Sequence, residues 1–250
     1  MNLNHPIAKG NTANIYLSNH KIVKVFNDFL PNTESQKEAN KQRYAYSCGL
    51  PVPEIYEVTT IKGKQAIVME HVKGETLGDL FLKNKEQAAH YMNLSIEMQL
   101  NIHRIIPDNI EPMYDKLHGQ IQAAPILNPI QKSQLLKLLE SITYTNRLCH
   151  GDFHLFNLIL ADTNQVFVID WVDASAGDIR ADIYRTYLLY SQLSSELAEM
   201  YVQMYCEKSG LLRAEICQWA PIIAGARLAE NVESENSQRL IRIVDNYLSQ

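Results

Sequence analysis

The chain lacks an excess of basic residues. Its 23 Lys and Arg are outnumbered by 28 Asp and Glu, a formal charge of −5. A nucleic-acid binder carries a basic footprint, so that class is set aside. No apolar run approaches the roughly 18–20 residues that a membrane-spanning helix needs. The opening MNLNHPIAKGNTAN has neither the charged nor the apolar region of a secretory signal. Cysteine is scarce as well. Cys48, Cys149, Cys206 and Cys217 lie far apart with no C-x-x-C pair, which argues against a zinc ribbon or a dithiol redox motif. Reduced thiols in a cytoplasmic protein are the expectation. No internal repeat or low-complexity tract is visible.

What is present is enough chain, 250 residues, for one or two cores that need no metal or disulfide staple. The first 70 or so residues hold short β-favouring runs, NIYL, KIVKVF and QAIVME, broken by Gly10, Asn19-His20 and Gly63. One helix interrupts them. It is expected to start at Thr33, with Gln36 completing a capping box, and to stop at Gly49 ahead of Pro51. Five strands with a helix after the third is the simplest parse. From about Thr76 the chain turns helical. Ala88, Met92, Ile96 and Leu100 form one apolar stripe, and Leu240, Ile241, Val244 and Leu248 another. A short strand, Val166 to Ile169, interrupts the helices. The reading is therefore an α+β chain of two lobes, 1–72 rich in strands and 73–250 mainly helical. The first holds 8 basic and 6 acidic residues, the second 15 and 22. An acidic lobe can attract cationic ligands, but on charge alone ordinary solubility is the preferred reading.

The sharpest local signal is LCHGDFHLFNLIL, residues 148–160. Asp152 precedes Asn157 by five positions, the spacing of a kinase catalytic loop. There an Asp takes the proton of the attacking hydroxyl and an Asn holds magnesium. Gly151 stands where protein kinases carry Arg. Thirteen residues on, Asp170 closes the apolar run VFVID, and a carboxylate there is costly unless something pairs with it. Mg²⁺, which prefers a few hard oxygen ligands, is one such partner. Upstream, Lys24 interrupts the alternating KIVKVF, and Glu38 sits on the following helix. Alone, Lys24 would read as a solvated edge-strand lysine and Glu38 as a surface residue. His150 and His154 lack the partner motif of a zinc site, and His150 reads as a structural histidine beneath the loop. Glu230, Glu233 and Glu235 read as a solvated face, with a pocket for a cationic substrate as the minor alternative.

Taken together, HGDFHLFN, VFVIDWVDASAGDIRADIYRT, GLPVPEIYEV, MEHVKGETL and IVKVF resemble, in family order, the aminoglycoside phosphotransferase family, small-molecule kinases of protein-kinase-like fold. The resemblance covers roughly residues 8–190. It implies a bilobal fold, with an antiparallel sheet and one helix ahead of a mainly helical lobe. It implies Asp152 as catalytic base and Asn157 and Asp170 as ligands of one or two Mg²⁺. Lys24 would hold the phosphates of ATP (or GTP), steadied by Glu38, with Glu34 as fallback partner. The C=O of Glu70 and the N–H of Val72 would bond adenine, and Asp182 would brace the catalytic loop. The loop GNTANIY has only Gly10 and departs from the glycine-rich pattern of protein kinases. Eleven residues, 171–181, separate Asp170 from Asp182, too few for a regulatory activation loop. The expected partner is therefore a small-molecule hydroxyl acceptor, with neither nucleic acid nor membrane involved. A choline, homoserine, thiamine or sugar-amine kinase, a nucleotide-binding module without turnover, and a protein kinase are the alternatives. Oligomeric state is not legible.

Overall fold

Alternation of apolar residues and tight two-residue turns build the first sheet. In the computed structural model, which describes residues 3, 5–230, 232 and 235–248, the strands β1 (Ala8–Lys9), β2 (Ala13–Ser18), β3 (Lys21–Phe26), β4 (Ile55–Ile61) and β5 (Lys64–Glu70) pair antiparallel in the order β1-β2-β3-β5-β4. Asn19-His20 turns β2 into β3, and Lys62-Gly63 turns β4 into β5. All four residues have positive φ, the backbone that matches hairpin twist. The helix α1 (Glu34–Ser47) follows the third strand, as the sequence implies.

The expected capping box does not form. The Thr33 side chain makes no cap hydrogen bond, and Gln36 instead donates to Asn40 one turn on. Thr33 already has near-helical backbone angles (φ −100°, ψ −2°), whereas a capping side chain needs extended ones to reach back to the third amide.

Packing divides the chain into two units, 1–88 with 155–173, and 89–154 with 174–250. In the first, the sheet buries both faces. Ala13, Phe26, Ile67 and Met69 pack with Ala39 of α1, and Val23, Val25, Ala66 and Val68 cluster separately. Each large apolar side chain buried in this way contributes about 1.5–3 kcal/mol. A three-stranded sheet joins the distant segment to this unit. Its order is β6-β8-β9, pairing β6 (Gly74–Thr76) with β8 (Leu158–Ala161) and β8 with β9 (Val166–Val168). The short α2 (Leu77–Lys83) starts on a Thr76 cap whose hydroxyl oxygen accepts the Asp79 N–H.

The second unit is mainly helical: α3 (Ala88–His103), α4 (Met113–Ala123), α5 (Pro129–Ser141), α6 (Ile179–Leu193), α7 (Ser195–Ser209), α8 (Arg213–Cys217), α9 (Ala220–Arg227) and α10 (Ser237–Leu248). A two-stranded ribbon of β7 (Arg147–Cys149) and β10 (Ser175–Gly177) lies among them. The caps here follow side-chain chemistry. Asn128 and Gln131 form a full capping box ahead of α5, and Asp178 caps α6. The buried face of α3 carries Met92 and Ile96 of the expected stripe, while Ala88 and Leu100 are only part-buried, and it adds Ile102 with Ser95, Gln99 and His103. Among the described residues, no helix is long and apolar enough to cross a membrane.

Candidate active site

Lys24 lies on a central strand, between Ile15 of β2 and Ile67 of β5, and is 6% exposed. The edge-strand alternative is thereby excluded. Its strand neighbours Val23 and Val25 pack in one cluster and Phe26 in the other. Alternation turns Lys24 to the α1 side with Phe26. There its ammonium donates to Glu38 Oε1 at 2.7 Å and to Asp170 Oδ1 at 2.9 Å. Glu38 is 1% exposed, so the carboxylate from the helix and the one from far downstream meet on one buried cation. Glu34, the fallback, is not a partner in this pair. Burial by itself would lower the Lys24 pKa, but Asp170 and Glu38 outweigh it and hold it above the ordinary value. Burial pushes the Glu38 carboxyl up, against the pull of Lys24.

Asp170 ends the β9 segment with φ 65°. Asp tolerates this left-handed region better than most residues, at a cost of order 1–3 kcal/mol. The turn takes its carboxylate off the strand, and the side chain stays 36% exposed. Asn157 immediately precedes β8, and its backbone C=O accepts the N–H of Ile169 at 3.0 Å. The ladder Leu158↔Val168 therefore carries Asn157 and Asp170 to adjacent positions at one end of the β8-β9 pair. A hard cation can reach the part-exposed Asp170 carboxylate, and a side-chain amide such as that of Asn157 is a donor type Mg²⁺ accepts. Lys41 of α1 donates to the Val172 C=O at 2.8 Å, a further tie between α1 and the segment after Asp170.

The remaining sequence-marked positions of this unit lie at strand ends. Glu70 closes β5, with its N–H on Glu54 O at 2.9 Å and its side chain accepting the Glu54 N–H at 3.2 Å. Val72, two residues on, is buried. The Gly10 loop is a tight turn between β1 and β2. Gly10 N–H bonds Ala13 O at 2.9 Å, and the Asn27 side chain donates to Asn11 O at 3.0 Å.

In the second unit, β7 delivers the loop His150-Gly151-Asp152. Gly151 has φ 82°, which explains glycine where protein kinases carry a side chain. Its N–H donates to Asp182 Oδ1 at 2.7 Å. Asp182 is fully buried on α6 and takes two further donors on Oδ2, His103 Nε2 at 2.9 Å and Gln99 Nε2 at 3.1 Å. A carboxylate only accepts, so His103 carries its proton on Nε2. Its Nδ1 then accepts the Tyr205 hydroxyl at 2.7 Å. Burial would raise the Asp182 pKa, but the hydrogen bonds from His103 and the Gly151 amide lower it to about 2. His150 is buried, and its Nδ1 accepts the Asp152 N–H at 3.3 Å. This is the structural place beneath the loop that the sequence implies.

Asp152 stands 3.5 Å from His154 Nε2 and 3.9 Å from Arg185 Nη2. Burial works to raise its pKa, but the His154 hydrogen bond and the charge of Arg185 outweigh it. The carboxyl ends far below the usual range. It is thus a carboxylate held in place and ionised at any physiological pH. The buried trio His103, Cys149 and Asp182 has its ligand atoms within 4.8 Å. Both ring nitrogens and both carboxylate oxygens are already engaged, and burial pushes the Cys149 thiol up. The thiolate a metal needs is therefore disfavoured.

Of the acidic residues after α9, Glu230 and Glu235 do not form a solvated face. Glu230 Oε2 accepts Arg185 Nη2 at 2.8 Å and pairs with Arg227, while its Oε1 accepts from Gln120 at 3.3 Å. Glu235, with a side chain 4% exposed, pairs with Arg227 at 3.3 Å and Arg239 at 2.9 Å. Glu233 lies outside the described residues. Three arginines from α6, α9 and α10 absorb these carboxylates because burial requires it. Sequence reasoning passed over Arg185. Its one signal was position, three residues after Asp182 and so on the same face of α6.

A profile of the phosphotransferase enzyme family, APH, matches residues 5–217. The chain belongs to this family. The match runs past the stretches that carry the resemblance and ends at α8, short of α9 and α10. A search of curated proteins finds no match. Among solved structures, the chain is similar to a thermostable mutant of aminoglycoside phosphotransferase APH(4)-Ia in ternary complex with ADP and hygromycin B. The TM-score is 0.73 at 14% identity, over 98% of this chain and 92% of that one. It is similar to a putative fructosamine-3-kinase from Haemophilus somnus, with TM-score 0.69 and 17% identity over 97% and 91% of the two chains. A choline/ethanolamine kinase family protein from Mesorhizobium loti gives 0.63 and 11%, over 100% and 86%. At such identities the likeness is one of fold. The APH phosphotransferase has the α+β, protein-kinase-like architecture expected from its sequence.

Proposed function

We propose that this phosphotransferase moves the γ-phosphoryl group of ATP to a hydroxyl of a small molecule. The observation that carries the reading is the meeting of Lys24, Glu38 and Asp170 within hydrogen-bond distance, in a chain that also holds H-G-D-x-H-x-x-N. Lys24, fixed by Glu38, holds the nucleotide phosphates. The Glu70 C=O and Val72 N–H bond the base. Asn157 and Asp170 hold Mg²⁺, which when bound neutralises charge on the phosphates. Asp152, kept ionised by its neighbours, orients the acceptor hydroxyl and takes its proton as the bond to phosphorus forms. Because the transition state of phosphoryl transfer is loose, placement and charge stabilisation supply most of the rate, and a weakly basic carboxylate suffices. The acceptor is a hydroxyl compound of the kind the similar folds are named for: an aminoglycoside, a fructosamine, or choline and ethanolamine. The cytoplasm, where ATP and Mg²⁺ are plentiful, is the proposed place of action.

The test is ADP release from Mg·ATP, and in parallel Mg·GTP, against hygromycin B and other aminoglycosides, macrolides, choline, thiamine, amino sugars and fructosamines. Asp152→Asn serves as the blank. Acceptor-dependent ADP release, lower by about 10²–10⁴ in the blank, supports the reading. Equal release by the two proteins overturns it.

A further inference from the structure

The Arg185 guanidinium does three things at once. Its Nε donates to the Gly151 C=O at 3.2 Å, its Nη2 donates to Glu230 at 2.8 Å, and the same Nη2 stands 3.9 Å from Asp152 Oδ1. It is 7% exposed. Both backbone groups of Gly151 are thereby held, the N–H by Asp182 and the C=O by Arg185, three residues apart on α6. The grip matters because Gly151 has positive φ, and glycine is the residue with most backbone freedom to lose. A planar guanidinium can hold the carbonyl and the carboxylate together, which a lysine ammonium cannot do in the same geometry.

The far end of this guanidinium is also anchored. Glu230 follows α9, beyond the stretch that the family profile matches, and is held by Arg227 and Gln120. Glu235 takes Arg227 and Arg239, and Arg239 in turn donates to Ser191 Oγ at 2.7 Å on α6. Arg185 is therefore not a free cation waiting for phosphate; its Nε and Nη2 donors are committed within the protein.

We infer that Arg185 is a positioning residue for phosphoryl transfer, setting the Gly151-Asp152 segment, and that Glu230, outside the matched family core, holds Arg185 in that pose. The inference rests on the proposed role of Asp152. It gives the tail from α9 to α10 a catalytic purpose, as the clamp behind the loop.

The test compares wild type with Arg185→Met, Arg185→Lys, Glu230→Gln and Asp152→Asn. Amide exchange is followed on the peptide 148–154, and Mg·ATP turnover with a mixture of hygromycin B, choline and fructosamine. Arg185→Met should speed exchange of that peptide tenfold or more. It should lower kcat by about 10–100-fold with KM for ATP within twofold of wild type. Arg185→Lys should fail to restore kcat. Glu230→Gln, the milder change in case Arg185→Met does not fold, should show the same pattern at about 3–10-fold. Wild-type exchange and kcat in either Arg185→Met or Glu230→Gln overturn the inference, as does full rescue by lysine. Wild-type turnover by Asp152→Asn would instead remove the phosphotransfer reading, leaving the exchange data to decide the clamp alone.

Discussion

Replacing Asp182 by Asn is the most informative single change in stability. The carboxylate accepts Gly151 N–H, His103 Nε2–H and Gln99 Nε2–H. Asn keeps the shape but offers one oxygen, and its NH₂ must face at least one of those donors. A hydrogen bond to a charged acceptor is worth about 1.5–3 kcal/mol net, so losing one or two costs about 3 kcal/mol at pH 7. That is a large share of the 5–15 kcal/mol typical of a native protein. Part of this cost depends on pH. The group is depressed from 3.8 to about 2 and is fully buried, a difference of about 2 kcal/mol at 1.36 kcal/mol per unit. A depressed carboxyl stabilises the fold above its unfolded pKa and loses that contribution as pH falls towards its folded value. The gap between wild type and Asp182→Asn should therefore be constant from pH 7 to 5. It should narrow by about 1 kcal/mol at pH 3 and by about 2 kcal/mol once both pKa values are passed. Urea unfolding of both proteins at pH 7, 5, 4 and 3 measures it, and other acids cancel in the difference. A gap under about 0.5 kcal/mol at pH 7, or one that does not change down to pH 3, would refute the account.

The nucleotide side gives two predictions. Lys24→Met should abolish the thermal shift that ATP produces, with or without Mg²⁺, whereas Glu38→Gln should keep a reduced shift; equal, full shifts in both would remove Lys24 from the site. Asp170→Asn should abolish only the part of the ATP shift that Mg²⁺ adds, and an unchanged Mg²⁺ increment would argue against a metal role. A third prediction concerns packing: Gly74→Ala should destabilise by several kcal/mol, because an added Cβ would lie 2.2 Å from the Leu160 carbonyl oxygen, where β6 pairs β8. A midpoint of unfolding within 1 °C of wild type would show that the ladder gives way there instead.

The parts of the fold that were legible are those where one residue type is demanded by chemistry or period. Lys24 in KIVKVF and Glu38 on the next helix, which alone read as solvent-facing residues, were marked by the family resemblance, and they meet at 2.7 Å. The order of five strands and a helix followed from turns that require positive φ. What stayed hidden depends on pairing across long separations. Gln99 and His103 share the buried face of Met92 and Ile96, a signal that was present, but their partners Asp182, Tyr201 and Tyr205 lie about 80–100 residues away. The same holds for Glu230, whose arginine is 45 positions upstream. The division into units was hidden too: it falls between His154 and Leu155, inside the most recognisable motif, because β8 and β9 pair with β6.

Charge accounting separates the two halves of the proposed chemistry. Around Lys24, one cation faces two carboxylates, Glu38 and Asp170, and Asp170 keeps a third of its side chain exposed. With both carboxylates ionised the cluster carries a surplus negative charge, which the proposed divalent cation would relieve. Around Asp152 the sum is different. Asp152, Glu230 and Glu235 are matched one for one by Arg185, Arg227 and Arg239. The negative balance of residues 73–250 is therefore not concentrated on these carboxylates. They are spoken for by arginines, and an amine-bearing acceptor would have to displace a guanidinium to use them. In the proposed reaction, recognition of the acceptor would then rest on groups other than these carboxylates.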